Sequence, residues 1–192
     1  MFDVRKMQEQ AILQAVQSAS DEETAKMIVY GKDAAAAKEE DAAWVCSTMK
    51  RLEERFDPDA ITEIRMNCQC GYGIDEKLTL VKELIRDSSC MEEFGNSERA
   101  QAAGMYCKEG ELYLQFPFCP CPAVAGVDRF DTDTWCQCTK GYSKVLFEAA
   151  FGCKVDVELL QSIKMGDAFC LMKIIPQPAF DGIIPWKKDS NS

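Results

Sequence analysis

Six of the eleven cysteines in this 192-residue chain fall into three Cys-x-Cys pairs: Cys68/Cys70, Cys119/Cys121 and Cys136/Cys138. In extended backbone, residues i and i+2 project to the same side, so each pair can present two sulfurs to one point. Two such pairs supply the four sulfurs that Zn²⁺ takes in a tetrahedron, or four anchors for an iron–sulfur cluster. The pairs at 119/121 and 136/138 suit this best, because they flank the loop 122–135 and sit beside rigid Pro or Trp neighbours. Cys68/Cys70 leaves a helix at a glycine turn and would complete a binuclear site. All six are therefore candidate metal ligands, with zinc the first choice and an iron–sulfur cluster the alternative.

The chain contains no histidine. This excludes Ser-His-Asp and Cys-His nucleophile arrangements, His-x-x-x-His metal sites and any imidazole acid or base. A metal here must be held by thiolates and carboxylates. Two other readings of the cysteines stay open. One is a redox-active dithiol. The other is packing, since free cysteine is among the most buried residue types. An enzyme built on the same residues would be a small-molecule hydrolase or reductase, with a thiolate nucleophile and Asp or Glu as base. For Cys46, Cys90, Cys107, Cys153 and Cys170, outside the pairs, the expected role is core packing. Trp135, Tyr72, Tyr142 and Phe118 could line a pocket, but aromatics near turns more often close a core. Asp128, Asp131 and Asp133 lack an EF-hand pattern and read as a solvated loop.

The net charge of −10, with no long Lys/Arg cluster, argues against nucleic acid and anionic membrane surfaces as partners. No window approaches the ~18 apolar residues needed to cross a bilayer. The opening Met1-Phe2-Asp3-Val4-Arg5-Lys6 does not resemble a signal peptide. A cytoplasmic location is the expectation, and dense cysteine there reads as metal-binding or redox-active rather than as a disulfide frame. A small-molecule ligand and a second copy of the chain, as a homodimer, are the partners left open.

The first hundred residues carry helical periodicity. Met7, Ala11, Ile12, Ala15 and Val16 form one stripe of a helix over 3–19. Ser20-Asp21-Glu22-Glu23 reads as a capping box for a short helix ending at Tyr30 before Gly31. The stretch 33–55 predicts one helix with Val45, Met49, Leu52 and Phe56 on its apolar face. Asp57-Pro58 starts another, with Ile61, Ile64 and Cys68 on one face, before a turn at Gly71 and Gly73. A helix over 75–87 follows. Ser89 with Glu92 is a second capping box, and a last short helix at about 97–103 closes at Gly104. The period then changes: Met105–Cys107, a Lys-Glu-Gly turn and Leu112–Phe116 predict a hairpin with Leu112, Leu114 and Phe116 facing in. The prolines of Phe116–Pro122 rule out a central strand and predict a stiff extended segment. A helix at about 140–151 ends at Gly152, Cys153–Leu159 alternates as a strand, and Ala168–Ile175 is a final strand.

The segment from Trp135 to Ile175 carries Gly141-Tyr142 at a helix start, Phe151-Gly152 at its end, the alternating Val155-Asp156-Val157-Glu158, and then Ser162-Ile163-Lys164-Met165-Gly166-Asp167-Ala168-Phe169-Cys170. It resembles the end of 4-vinyl reductase-type domains, and also the aminothiazoline-carboxylate hydrolase family with its similar Gly-Asp-x-x-Cys ending. The resemblance implies an α+β domain with an antiparallel sheet and a ligand cavity near the 141–151 helix and the last two strands. It transfers no catalytic residue, and the absence of histidine departs from the histidine-containing members. The full set of Cys-x-Cys pairs resembles a cysteine-rich bacterial family of this general kind, from anaerobes, where exposed thiolates survive.

Together these elements predict an α+β fold, with a helical N-terminal half packed on a small antiparallel sheet formed by the C-terminal half. The expected organisation is a single domain over 1–192: a mainly helical part at 1–104, a sheet-containing part with one helix at 105–176, and a tail at 177–192.

Overall fold

A computed structural model of the chain describes residues 3–177; the tail from 178 lies outside the described residues. Seven helices come first: α1 (Val4–Ala19), α2 (Glu22–Tyr30), α3 (Asp41–Arg55), α4 (Pro58–Met66), α5 (Ile74–Arg86), α6 (Met91–Asn96) and α7 (Glu98–Ala102). Two strands follow, β1 (Met105–Lys108) and β2 (Glu111–Phe116), then α8 (Gln137–Phe151), β3 (Val155–Gln161) and β4 (Cys170–Pro176). The fold is α+β: the helices are mainly N-terminal, and the C-terminal half forms one four-stranded sheet in the order β1-β2-β4-β3, antiparallel throughout.

Contacts divide the chain into two compact units that cut across the boundary between helical and sheet-containing sequence. One comprises Met1–Cys70, Cys119–Tyr142 and Ser162–Asp167; the other comprises Gly71–Phe118, Ser143–Gln161 and Ala168 onward. In the sheet-containing unit, Leu112, Leu114, Val155, Val157, Met172 and Ile174 are buried on one face of the strands. Ser143 of α8 donates to the Met172 sulfur at 3.4 Å, and Phe147, Phe151 and Phe94 are buried in the same unit. The β1–β2 turn is the two-residue Glu109-Gly110, both at positive φ, as a type I′ hairpin requires.

All six paired cysteines lie in the other unit. Its core runs from Ile12 and Val16 of α1 through Ile28 and Val29 of α2 and Trp44, Val45 and Leu52 of α3 to Ile64, Val124, Phe130 and Trp135. Asp57 caps α4 as its sequence implies, its carboxylate accepting from the backbone N–H of Asp59 and Ala60.

Several local expectations need correction. The helix expected over 33–55 is broken: Lys32–Lys38 is a 3₁₀ turn, and α3 starts only at Asp41. The cause is Arg5 on α1. Its guanidinium donates to the Ala36 carbonyl at 2.8 Å and the Glu39 carbonyl at 2.5 Å, groups a continuous helix would spend on its own amides. The caps of α2 and α6 are each one residue later than the box patterns suggest. Asp21 accepts from the Thr24 amide, and the Cys90 sulfur accepts from the Glu93 amide. Cys90 and Cys46 are exposed rather than core residues, whereas Cys153 and Cys170 are buried. Phe116 is only half-buried, and the final strand starts at Cys170 rather than Ala168. Tyr72 and Phe118 are exposed, while Trp135 is core.

Candidate metal centre

The centre starts at the C-terminal end of α4. Ile61 and Arg65 are four residues apart and share a buried face of α4, and Cys68, two residues past its end, is buried too. Arg65 is wholly buried. Its guanidinium carbon lies 4.3 Å over the Trp135 ring, and its Nη2 donates to the Trp135 carbonyl at 3.2 Å. Trp135 is held in turn by Trp44, edge to face at 5.9 Å. Among the described residues no carboxylate pairs with Arg65, and its Nε and Nη1 have no hydrogen-bond partner.

Cys68, Cys121 and Cys138 feel this charge. Cys68 is buried and donates back to the Ile64 carbonyl at 3.1 Å. Cys138 is buried in the first turn of α8, and its sulfur donates to the Cys68 carbonyl at 3.0 Å. Gln8, itself buried, donates to the same carbonyl at 3.3 Å and approaches the Cys138 sulfur at 3.8 Å. This approach of α8 to α4 depends on Gly141, since a methyl group there would fall inside the van der Waals surface of the Met66 carbonyl oxygen. Cys136 contacts the Ser162 hydroxyl at 3.3 Å, and Asp167 fixes Ser162 by accepting from its amide at 2.8 Å. Cys119 and Cys121 are half-buried against the core of the unit. Cys70 is half-buried at the glycine turn.

Burial dominates the electrostatics. It pushes the Cys68 thiol up, opposed by the charge of Arg65 beside it and by hydrogen bonding to the Arg65 side chain. It pushes Cys138 up to about 12, again against Arg65, with Cys121, Cys68 and Cys70 adding to the rise. Cys136 is pushed up to about 11 by burial, Ser162 opposing and Cys119, Cys121 and Asp133 assisting. Cys121 is raised by burial too; the Trp135 indole N–H beside it and the Ala123 backbone favour the thiolate, as does Arg65 more weakly. That indole N–H is itself buried, and no acceptor meets it at hydrogen-bond geometry.

The structure places the Cys138 sulfur on the Cys68 backbone and the Cys136 sulfur on Ser162, while the electrostatics of Cys136 and Cys138 also feel other thiols of the set. Their backbone is not uniformly the extended one the spacing suggested. Cys121 is extended, but Cys136 closes a 3₁₀ turn (Thr134–Cys136) and Cys138 belongs to α8. Helical residues i and i+2 point in different directions, which is why one sulfur faces Cys68 and the other Ser162. Among the described residues no three Cys, Asp or Glu side chains are arranged to hold one metal ion as they stand. Cys68 and Cys138 act as S–H donors to carbonyls.

Two members of the site, Arg65 and Gln8, were not singled out from sequence. The available signal was spacing: Arg65 follows Ile61 by four and precedes Cys68 by three, and Gln8 precedes Ile12 by four. Both polar residues therefore sit on apolar stripes.

Among the described residues, a buried cation without a carboxylate partner and a buried indole N–H without an acceptor sit beside thiols that burial holds protonated. The class so defined is an α+β protein with a cysteine cluster built over a buried arginine. The chain belongs to the group described as "Family of unknown function (DUF6144)", which matches residues 1–180. No curated protein and no solved structure matches the chain.

Proposed function

We propose that the chain is a cytoplasmic metal-binding protein, in which Cys68, Cys70, Cys119, Cys121, Cys136 and Cys138 supply thiolates to zinc or, alternatively, to an iron–sulfur cluster. The observation that carries this reading is Arg65, a wholly buried guanidinium beside thiols that has no carboxylate partner among the described residues. A buried charge left uncompensated costs several kcal/mol. Coordination supplies the missing anion: when four thiols bind one Zn²⁺ they release four protons to solvent, and the ZnS₄ group carries two negative charges. The same holds for thiolates anchoring an iron–sulfur cluster. Cysteine is also the soft ligand that selects these groups over Mg²⁺ or Ca²⁺.

A thiolate nucleophile is less well supported, because such a residue needs its pKa lowered into the neutral range. Burial moves Cys136 and Cys138 the other way, to about 11 and about 12. Elemental analysis of protein prepared anaerobically, without a metal-chelating tag, tests the proposal. Zinc or iron near one or more equivalents per chain is expected, and visible charge-transfer absorption separates the cluster from zinc. Less than about 0.2 equivalents of any transition metal would reject the reading.

A further inference from the structure

We propose that the cleft between α2 and α3 is a binding site for a small amphipathic monocarboxylate, its carboxylate held by Arg51 with Lys32 and Arg55 and its apolar body laid along Met27. The site is independent of the cysteines and of the metal reading.

The cleft holds about 710 Å³, within the size range of small-molecule sites, and its lining comes entirely from one unit. Arg51 stands in its wall. Its Nε donates to the Ile28 carbonyl at 2.6 Å and its Nη2 to the Thr48 hydroxyl at 3.0 Å, which fixes the guanidinium where α2 ends. Nη1 lies on the side of Gly31. Among the described residues no salt bridge reaches Arg51, Arg55 or Lys32. Burial pulls the Arg51 guanidinium below its ordinary pKa, and Glu39 and Glu54 offset this only in part. Arg55 is one turn further along the same face of α3, and like charges at that spacing repel without an anion to share. Lys32 follows directly on Gly31.

The acidic side chains of the lining decide the charge of the ligand. Asp21 spends its oxygens on the Thr24 amide and on the Thr24 and Ser20 hydroxyls, and Glu54 faces Lys50 at 3.9 Å. With Glu23 they still leave the lining as acidic as it is basic, which suits one negative charge and disfavours a phosphate dianion. Met27 supplies the apolar surface. It is 46% exposed in the same lining, and its flexible thioether can follow the shape of an alkyl or aryl body.

Hexanoate is the probe, with hexylammonium, acetate and inorganic phosphate as comparisons. Each is titrated into the isotope-labelled full chain under reducing conditions and followed through amide NMR shifts. Hexanoate should move amides over residues 23–32 and 48–55 saturably, with a Kd on the order of millimolar. Acetate, lacking the apolar body, should bind about tenfold more weakly. Lys32→Gln combined with Arg55→Gln removes two exposed cations and should weaken hexanoate about fivefold. Met27→Ala should weaken hexanoate and leave acetate unchanged. No saturable movement in α2 and α3 overturns the proposal. So does hexylammonium binding as tightly as hexanoate, the result for a merely apolar or acidic surface. Phosphate binding more tightly than hexanoate overturns the carboxylate assignment. A double variant that binds hexanoate like wild type overturns the role of the cations, and unchanged binding in Met27→Ala overturns that of the apolar floor.

Discussion

The Arg65 guanidinium stacks on the Trp135 ring at 4.3 Å and donates to the carbonyl of the same residue at 3.2 Å, so one residue meets it with both its ring and its backbone. Trp135 in turn sits one residue before Cys136 and beside Cys121. Its ring is the floor on which the charge and the thiols are assembled.

Substitutions at Trp135 should therefore separate shape from hydrogen bonding. Trp135→Phe keeps an aromatic face under Arg65 and deletes an indole N–H that has no acceptor among the described residues. It should cost less than about 1.5 kcal/mol, as volume-tolerant core changes do. Trp135→Ala removes the edge-to-face contact with Trp44 along with the floor, and should cost about 3–5 kcal/mol. Urea denaturation of the two metal-free variants checks the ordering; equal losses would mean that the ring is not what supports the charge.

Gly141 offers a cleaner sign test. In an exposed helix interior, Gly→Ala stabilises by about 0.5–1 kcal/mol. At Gly141 the added methyl would collide with the Met66 backbone carbonyl, which cannot rotate aside as a side chain tip would. Gly141→Ala should therefore destabilise, by about 2 kcal/mol or more. It should also lower metal content, because it pushes Cys138 away from Cys68. Gly126→Ala is the control, since a methyl there meets only the Ala42 methyl at an ordinary 3.5 Å. Thermal melts and metal analysis of both variants provide the comparison.

How far the centre was legible follows from what each residue's neighbours say about it. The three cysteine pairs were visible because spacing alone marks them, and so were the Asp57 cap of α4 and the Glu109-Gly110 hairpin. Arg65 was hidden because a charged residue beside Ile64 reads as the solvated edge of an apolar face. Only the tertiary environment, Trp135 above and Cys138 opposite, shows that the face extends over it. The helical state of Cys136 and Cys138 was also hidden, since Trp-Cys-Gln-Cys carries no clear cap of its own. There the Asp133 carboxylate accepts from the Gln137 side chain at 2.6 Å, while Thr132 and Thr134 both donate to Glu53 of α3. One of these bonds is local, and the two to Glu53 are non-local; together they fix the helix start. The break before α3 has the same kind of cause, because the donor that stops the helix comes from α1.

That break can be probed at Arg5. Its guanidinium serves the Ala36 and Glu39 carbonyls, pairs with Glu9 at 2.9 Å and lies 5.1 Å over the Trp44 ring. Arg5→Ala leaves both carbonyls without their charged donor, and hydrogen bonds to charged groups contribute about 1.5–3 kcal/mol. The partner groups can recover part of this from water, so a loss of about 1–2 kcal/mol is expected. The specific signature is local: amide exchange should accelerate over residues 36–40 more than in α4. Uniform acceleration would show that Arg5 acts only through global stability.

The raised thiols make the last case, and its sign is fixed. Cys136 and Cys138 move from an ordinary 9.0 to about 11 and about 12, the folded protein holding their protons more tightly than the unfolded chain does. Below pH 9 both states keep the protons, and the stabilisation is fully present. As pH rises from about 9 towards 11, the unfolded chain ionises and the metal-free fold does not. Stability then falls by at most about 1.4 kcal/mol per pH unit for each thiol. Cys138→Ala should flatten that slope relative to wild type, which separates it from the titration of lysines and tyrosines in the same range. Urea midpoints of both metal-free proteins between pH 8 and pH 10.5 provide the measurement. Metal reverses the direction, because each coordinated thiol must give up its proton. Zn²⁺ uptake should therefore strengthen steadily from pH 6 to pH 8, where the metal-free fold itself is insensitive to pH at these residues. Zinc affinity that is flat over that interval would mean that Cys136 and Cys138 are not among the ligands.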